Sequence, residues 1–487
     1  MQRKVTLFEY LYQSLRDEII SGRIPCGSPL PSITRLCELY HVGSRTVRDV
    51  LARLKQEGYI KTEERRPMIV IYQPKQEDQA AAAYYILTHR QSILDAYASM
   101  TQLMPRILSF SLQTISSYSL EYWRKALKSA LSKNTEIRWK SNIKFFYALL
   151  DETHNLFFRD LFSSLELYAR PMFFFQEKQF SKLIQEHCTF QNAMWFQEPM
   201  LNGQIEESYC RLTQMYTSVY KAVQQQMVNL ATQYPQIKQE NHHFTWQSDR
   251  GRDHLHVQIT RDLINHIGTG SLPTGTLLPP EAKLAHHYHV SIATIRKALA
   301  SLNELGYAKT QNVKGTTICM QDDETAIRCL ARKPYRQDAL RYLSGLQLMI
   351  LVIKPAACSA FSQISPSTVI QLRIDLQNRF RIPLDLLTEV VILHVKEEAL
   401  KTILCELSRI LCWGYYYSLY PGEQHAFNAL NCKSMKAVQF LENEEKEAFA
   451  RQMCLCYVHI LEVIRSHMIQ YKLPEAAYLK TPEKIFL

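Results

Sequence analysis

Two arginines, Arg48 and Arg296, stand 248 positions apart in a chain of 487 residues, and each closes a similar triplet, Thr46-Val47-Arg48 and Thr294-Ile295-Arg296. A guanidinium offers five N–H donors in a planar fork that fits two acceptors at once, and a nearby threonine hydroxyl adds a single donor or acceptor. At the exposed start of a helix such a pair can hold an anionic group or read two acceptor atoms side by side. Further basic and polar residues surround each triplet. In the first stretch these are Arg35, Ser44, Arg45 and the pair Arg65-Arg66; in the second they are Lys283, Ser291, Lys314 and Gly315.

The elements that must position these residues can be read from their periodicity. Thr6 with Glu9 three residues on forms a capping box, and Leu7, Tyr10, Leu11, Leu15 and Ile19 make an apolar stripe that ends near Gly22. A turn-rich link, Ile24-Pro25-Cys26-Gly27-Ser28-Pro29-Leu30-Pro31, precedes a short helix starting at Pro31 or Ser32 and carrying Leu36 and Leu39. After the turn His41-Val42-Gly43, the segment Ser44 to Lys55 puts Val47, Val50, Leu51 and Leu54 on one face and charges on the other. Gly58 stops it, and two short strands, Tyr59-Ile60-Lys61-Thr62 and Met68-Ile69-Val70-Ile71-Tyr72, follow as a hairpin. Helix, helix-turn-helix and hairpin together make a winged helix.

The same plan recurs. Leu15–Thr62 aligns without a gap to Leu263–Thr310, with about twenty of roughly fifty positions identical, the fixed-offset self-similarity of a duplicated unit. Tyr40-His41-Val42 returns as Tyr288-His289-Val290, and Gly58-Tyr59 as Gly306-Tyr307.

Both copies resemble the DNA-binding domain of the GntR family of bacterial transcription regulators. Gly22, Gly27, Leu30-Pro31, Leu36, Val42, Thr46-Val47-Arg48, Leu51, Leu54 and Gly58-Tyr59 match its pattern in the first copy. Gly270, Gly275, Leu278-Pro279, Leu284, Val290, Thr294-Ile295-Arg296, Leu299, Leu302 and Gly306-Tyr307 match in the second. The resemblance implies double-stranded DNA as partner, with Arg35, Ser44, Arg45, Thr46, Arg48, Arg65, Arg66, Lys283, Ser291, Thr294, Arg296, Lys314 and Gly315 as candidate contacts. The departures lie at the reading face. Gly43-Ser44 and Ser291-Ile292 replace the usual Ser/Thr-Arg, Pro67 replaces the wing glycine kept as Gly315, and of the usual Glu-Arg pair before the turn only Glu281 survives.

Residues 80–235 and 325–487 are helical in pattern and follow their winged helices at 1–75 and 254–321, with a polar connector, 236–253, between the halves. The expected architecture is therefore mainly α: two winged helix-turn-helix domains, each with a small β hairpin, alternating with two all-helical regulatory domains. In the resembled family this position holds a ligand-sensing domain, and the FadR-like helical type fits the length. That resemblance implies a small organic effector. It also implies no metal, because Asn142 and Phe146 stand where many relatives carry an Asp and a His, and Leu384 and Thr388 do no better in the second half. Aromatic residues such as Tyr147, Phe157, Phe158, Tyr168, Phe173-Phe174-Phe175, Trp195, Phe196, Trp413 and Tyr415-Tyr416-Tyr417 either line an effector pocket or form core.

Charge and cysteine usage narrow the classes. The chain carries +11 at neutral pH, which favours an anionic partner. Residues 1–75 hold 13 Lys/Arg against 8 Asp/Glu, and residues 251–321 hold 7 against 4, so the first copy is the more basic. The twelve cysteines show no C-x-x-C spacing and read as reduced, mostly buried thiols of a cytoplasmic protein. His286, His287 and His289 read as surface or turn residues. The N-terminus lacks the apolar core of a signal peptide, and the most apolar run, Leu346 to Ile353, ends at Lys354-Pro355, too short for a membrane span. No phosphate loop, nucleophile elbow or H-E-x-x-H motif is present, so no enzyme, catalytic residue or cofactor is expected. The expected function is effector-responsive, sequence-specific transcription regulation by an intrachain pseudo-dimer, either as a monomer or as a homodimer. The alternative is an interaction or scaffold protein whose degenerate winged helices no longer read DNA.

Overall fold

The computed structural model describes residues 6–20, 24, 26–27, 29–40, 42–62, 68–72, 78–131, 135–169, 194–240, 242–246, 255–268, 270–312, 314–319, 323–377, 382–411 and 424–486. The wing-tip residues Arg65 and Arg66, and the aromatics Phe173–Phe175, Trp413 and Tyr415–Tyr417, fall outside these, as does the side chain of Arg35. The fold is mainly α with two small hairpins.

The first winged helix comprises α1 (Leu7–Ile20), α2 (Ile33–Tyr40), α3 (Ser44–Gln56), β1 (Ile60–Lys61) and β2 (Ile69–Val70). Thr6 Oγ1 accepts from the Glu9 amide at 3.1 Å, the expected N-cap of α1. The α1 stripe buries Leu11, Tyr12, Leu15 and Ile19 against Leu36, Val47, Val50, Leu51 and Leu54, and Ile60 and Val70 close the core from the hairpin. The Pro-Gly link adds a third edge to that hairpin, since Gly27 N donates to Val70 O and Leu30 N to Met68 O, both at 2.8 Å.

The second comprises α11 (Leu255–Gly268), α12 (Glu281–His287), α13 (Ile292–Glu304), β3 (Ala308–Gln311) and β4 (Gly315–Ile318), numbered after the helical stretch between them. Its elements follow the first at a constant offset of 248 residues, with longer strands in the hairpin. Ala308 pairs with Ile318 as Ile60 pairs with Val70. Gly275 N donates to Ile318 O, and Leu278 N to Thr316 O, again at 2.8 Å. Gly27 and Gly275 adopt φ of 83° and 88°, Gly58 and Gly306 of 79° and 80°, a left-handed turn open to glycine without strain.

The intervening helices are α4 (Asp78–Thr88), α5 (Arg90–Ser111), α6 (Ser117–Leu131), α7 (Thr135–Asp151), α8 (Phe158–Ala169), α9 (Met194–Leu201) and α10 (Ile205–Gln233). After the second winged helix come α14 (Asp323–Leu330), α15 (Lys333–Phe361), α16 (Pro366–Asp375), α17 (Pro383–His394), α18 (Glu398–Leu411), α19 (Gln424–Glu442) and α20 (Lys446–Gln470), followed by two short 3-10 turns. These stretches repeat each other too. Both α5 and α15 carry an internal proline, Pro105 and Pro355. Ser116 and Ser365 cap α6 and α16 by accepting from Ser119 N and Thr368 N. Gly203 and Glu444 hold the same left-handed turn, φ 69° and 59°, before α10 and α20.

Contacts divide the chain into two compact units. Unit 1 gathers Met1–Tyr97, Ser163–Thr189 and Ser218–Arg252, and so holds the first winged helix and α4. In it the segment after α10 departs from the expected solvated connector. Glu240 N donates to Thr88 O at 2.9 Å, the His242 ring stacks on His89 at 3.6 Å, and Phe244 and Trp246 are buried. The polar composition hid two aromatic anchors, and their burial outweighs the solvation of their neighbours.

Unit 2 gathers Ala98–Phe162, Phe190–Thr217 and Asp253–Leu487, and so draws helices from both halves of the chain. Asn155 Nδ2 donates to Ser344 O at 2.9 Å and to Gln347 Oε1 at 2.8 Å. Gln102 Nε2 donates to Glu397 Oε1, which shares its carboxylate with Ser359 Oγ. Buried Arg106 donates to Phe486 O at 2.7 Å, and Phe110 meets the Phe486 ring edge-to-face. The helix that carries the apolar run Leu346 to Ile353 continues through Lys354 and Pro355 to Phe361. Proline removes one helical hydrogen bond, and packing of the flanking buried residues Leu351, Val352, Ile353, Ala356 and Ala357 offsets that loss. By length and composition Tyr335–Phe361 is apolar enough to cross a membrane, but 78% of its apolar window is buried inside the protein, which makes it a core helix.

Aromatic residues form core as well. Phe145, Phe157, Phe158 and Phe162 are fully buried, and Phe146 packs on Phe162 and Phe196. Of the ten described cysteines, all free, only Cys329, Cys454 and Cys456 are buried. The expectation of mostly buried thiols therefore fails, because Cys26, Cys210, Cys405 and Cys432 fall on turns or outward helix faces where no packing partner is required.

Candidate nucleic-acid interface

In the first copy the reading face is the outer side of α3. Gly43, the N-cap, has extended backbone and no side chain to cap with. Ser44, Arg45 and Arg48 are exposed and Thr46 is half-buried. Among the described residues neither Arg45 nor Arg48 has an acidic partner. One further arginine of α3 is engaged elsewhere: the Arg53 guanidinium lies 4.0 Å from the centre of the Tyr12 ring and pairs with Glu57 at 3.0 Å and Glu9 at 3.6 Å. The Tyr12 hydroxyl also donates to Glu57. That hydrogen bond, reinforced by Arg53, holds the Glu57 carboxyl below the usual carboxylate range.

In the second copy the corresponding face is more constrained. Ser291 caps α13, its Oγ accepting from Thr294 N at 3.2 Å and lying 2.9 Å from Thr294 Oγ1. Arg296 is exposed, and its Nε donates to Glu281 Oε2 at 2.8 Å. Lys283 is exposed on α12. Lys314 and Gly315 are exposed on the wing, where Gly315 pairs with Gln311 at φ 95°. A Cβ added there would meet Leu277 Cδ1 at 3.2 Å, so both backbone conformation and space favour glycine. The wing is locked to the end of α13, since Asn303 Nδ2 donates to Thr310 Oγ1 at 2.7 Å and Asn303 Oδ1 accepts from Thr310 N at 3.0 Å. Behind the helix the Tyr288 hydroxyl donates to Asp262 at 2.6 Å; burial first, and then this carboxylate, push the phenol well above its ordinary range.

The structure thus brings Ser291, Thr294 and Arg296 together on α13, and Ser44, Arg45, Thr46 and Arg48 together on α3. Sequence reasoning passed over Lys297, exposed beside Arg296 where the first copy has Asp49, although the gapless alignment already carried that charge reversal. It also left the Glu281–Arg296 pair unseen, because the two residues are fifteen positions apart on different helices. At the positions from which the resemblance implies no metal, Asn142 Oδ1 accepts from Gln197 and Phe146 is buried among aromatic rings. In the second half Thr388 shares a 2.8 Å hydrogen bond with the Tyr457 hydroxyl.

Two helix-turn-helix units with hairpin wings, each offering a basic outer helix, define a winged-helix protein of the DNA-binding regulator class. The family model described as "Bacterial regulatory proteins, gntR family" matches residues 7–70 and again residues 255–318. An HTH-type transcriptional regulator of Mycobacterium tuberculosis, Rv1152, is 30% identical over 100 residues, covering 18% of this chain and 83% of that protein. The chain belongs to the GntR family of transcription regulators and carries its DNA-binding domain in tandem duplicate. Among solved structures, GntR of Streptococcus agalactiae is 19% identical, covering 43% of this chain and 99% of its own at a TM-score of 0.21. McbR/YncC of E. coli is 18% identical, covering 45% and 100% at a TM-score of 0.21.

Proposed function

We propose that this regulator binds an asymmetric operator as an intrachain pseudo-dimer, its two winged helices reading two half-sites that differ in sequence, under the control of a small organic effector. The observation that carries this reading is unit 2, where helices from the two halves of one chain share a core through Asn155, Ser344, Gln347, Arg106 and Phe486. Members of this class ordinarily pair two identical winged helices on a palindrome, since operator symmetry mirrors protein symmetry. A chain holding two unlike readers has no reason to prefer identical half-sites.

The DNA contacts assigned by this reading are Ser44, Arg45, Thr46 and Arg48 in the first copy, with Arg35, Arg65 and Arg66, and Lys283, Ser291, Thr294, Arg296, Lys314 and Gly315 in the second. Phosphate contacts set the register and base contacts select the sequence. The helical halves are assigned the effector, with no transition metal, the Asn142 and Phe146 substitutions being the support. Footprinting of the full chain on genomic fragments, with stoichiometry from sedimentation of the complex, tests the proposal. One chain protecting two unlike half-sites is the expected result. Two chains on a perfect palindrome, each engaging only its first winged helix, overturn it.

A further inference from the structure

The arginines of the two recognition helices are held differently, and the difference assigns a role to Glu281. Arg296 Nε donates to Glu281 Oε2, and Glu281 is the first residue of α12, not part of the helix that carries Arg296. The carboxylate is thus anchored to a neighbouring element that packs on α13. The helix start is fixed by the Ser291 cap and the wing by Asn303 and Thr310. At the aligned positions the first copy has Ile33, Gly43 and Lys55, which can make none of these bonds, and Arg48 has no acidic partner among the described residues.

We propose that Glu281 is a positioning residue for Arg296, and that through it the second winged helix discriminates its half-site more strictly than the first, where Arg48 serves mainly to attract phosphate. The proposal rests on the reading that both winged helices contact DNA. An unheld arginine loses rotamer freedom on reaching a base edge and adapts to many acceptor arrangements. One whose Nε is already engaged has its plane set in advance, so its terminal nitrogens suit fewer arrangements and lose less freedom on meeting the right one. The carboxylate also repels phosphate, which weakens attachment to every sequence and leaves the well-matched one favoured. The charge balance agrees, the first copy being the more basic.

The test uses the full chain and duplexes it selects from a random-sequence pool. Glu281→Gln keeps an oxygen acceptor for Arg296 Nε without charge, Glu281→Asp keeps the charge but withdraws the carboxylate by one methylene, and Glu281→Ala removes both. Selectivity for the second half-site over random duplex should fall about tenfold in the Ala and Asp variants and stay within about twofold of the parent in Gln, the scale of one well-aimed base contact. Affinity for random duplex should rise in Ala and Gln but not in Asp. A merely structural role would lower all affinities together with the melting temperature, and that outcome overturns the proposal. So does equal selectivity in Gln and Ala, which reduces Glu281 to a charge. Arg296→Ala serves as the reference: if it leaves the selected second half-site unchanged, the second copy does not read DNA and the underlying reading falls as well.

Discussion

In the first winged helix Glu57 turns back to the Tyr12 hydroxyl and Arg53 covers the Tyr12 ring, whereas the second has Leu305, Thr260 and Ser301 at those positions. Besides its internal ties, Tyr288 to Asp262 and Asn303 to Thr310, it has polar ties that run outward. Glu304 accepts from the Tyr335 hydroxyl at 2.9 Å and pairs with Arg332 at 3.2 Å, and Cys329 Sγ donates to the Glu304 carbonyl at 3.2 Å, joining the end of α13 to α14 and the start of α15. Both copies are braced from within, the first by tying the end of α3 back to α1, and the second is in addition fastened to its own helical domain. A shared backbone plan therefore does not imply shared attachments: the apolar set specifies the fold, and the polar residues around it decide what the fold is fastened to.

The largest test of this contrast concerns the shared core. Leu54 and Leu302 are both fully buried at aligned positions. Truncating either to alanine should cost about 2–5 kcal/mol, the usual range for an incompletely collapsed cavity. Hydrogen exchange should show that neither loss reaches the other winged helix, with α15 affected only by Leu302→Ala. Loss of protection across both copies from a single truncation would dissolve the distinction between the two braces.

Next come the reading arginines. Arg48→Ala and Arg296→Ala should each weaken operator binding by about 1–3 kcal/mol, but in different ways. For Arg48 the loss should be similar across sequences and accompanied by a shallower salt dependence. For Arg296 it should concentrate on one half-site. Gel shifts at several salt concentrations, on duplexes with each half-site scrambled in turn, separate the two patterns.

A smaller effect is expected at the caps. Ser291→Ala removes the oxygen that accepts from Thr294 N and should destabilise α13 by about 1 kcal/mol. Gly43→Ser should stabilise α3 by a few tenths of a kcal/mol if its hydroxyl finds the Thr46 amide. Equal helix protection in parent and Ser291→Ala protein would show that the brace at Glu304, rather than the cap, orders α13.

The smallest effect is electrostatic. The Tyr12 hydrogen bond and Arg53 lower the folded-state pKa of Glu57, so this stabilisation is present above the ordinary value of 4.5 and is lost as pH falls through the lowered folded value. Acid should therefore loosen the α1–α3 contact of the first copy, while Leu305 gives the second no such response. Exchange protection corrected for intrinsic rate, followed between neutral pH and pH 3, measures it; Glu57→Gln should remove the difference between the copies.

Much of this was legible in the residues. The stripe Val47, Val50, Leu51 and Leu54 is the buried face of α3, and Thr6 with Glu9 marks the start of α1, because helical periodicity and capping depend on neighbours within about one turn. Gly58 and Gly306 end their helices for an equally local reason, their left-handed backbone. That one helix runs unbroken through Pro355 was not legible, because the proline's local penalty is visible while the packing that outweighs it comes from residues distant in sequence. Phe244 and Trp246, inside a polar segment, misled for the same reason.

The sequence by itself therefore determined the duplicated winged-helix plan, its family and the residues presented on each recognition helix, since a gapless repeat preserves every local preference at once. Only the tertiary structure decided that Glu281 meets Arg296, that Glu304 is bound to Arg332 and Tyr335, and that Asn155 of one half bonds to Ser344 and Gln347 of the other. Those contacts join residues between 15 and 192 positions apart, as the Asn155–Gln347 separation illustrates. No periodicity or spacing rule reaches across such gaps, because they close only when whole elements pack.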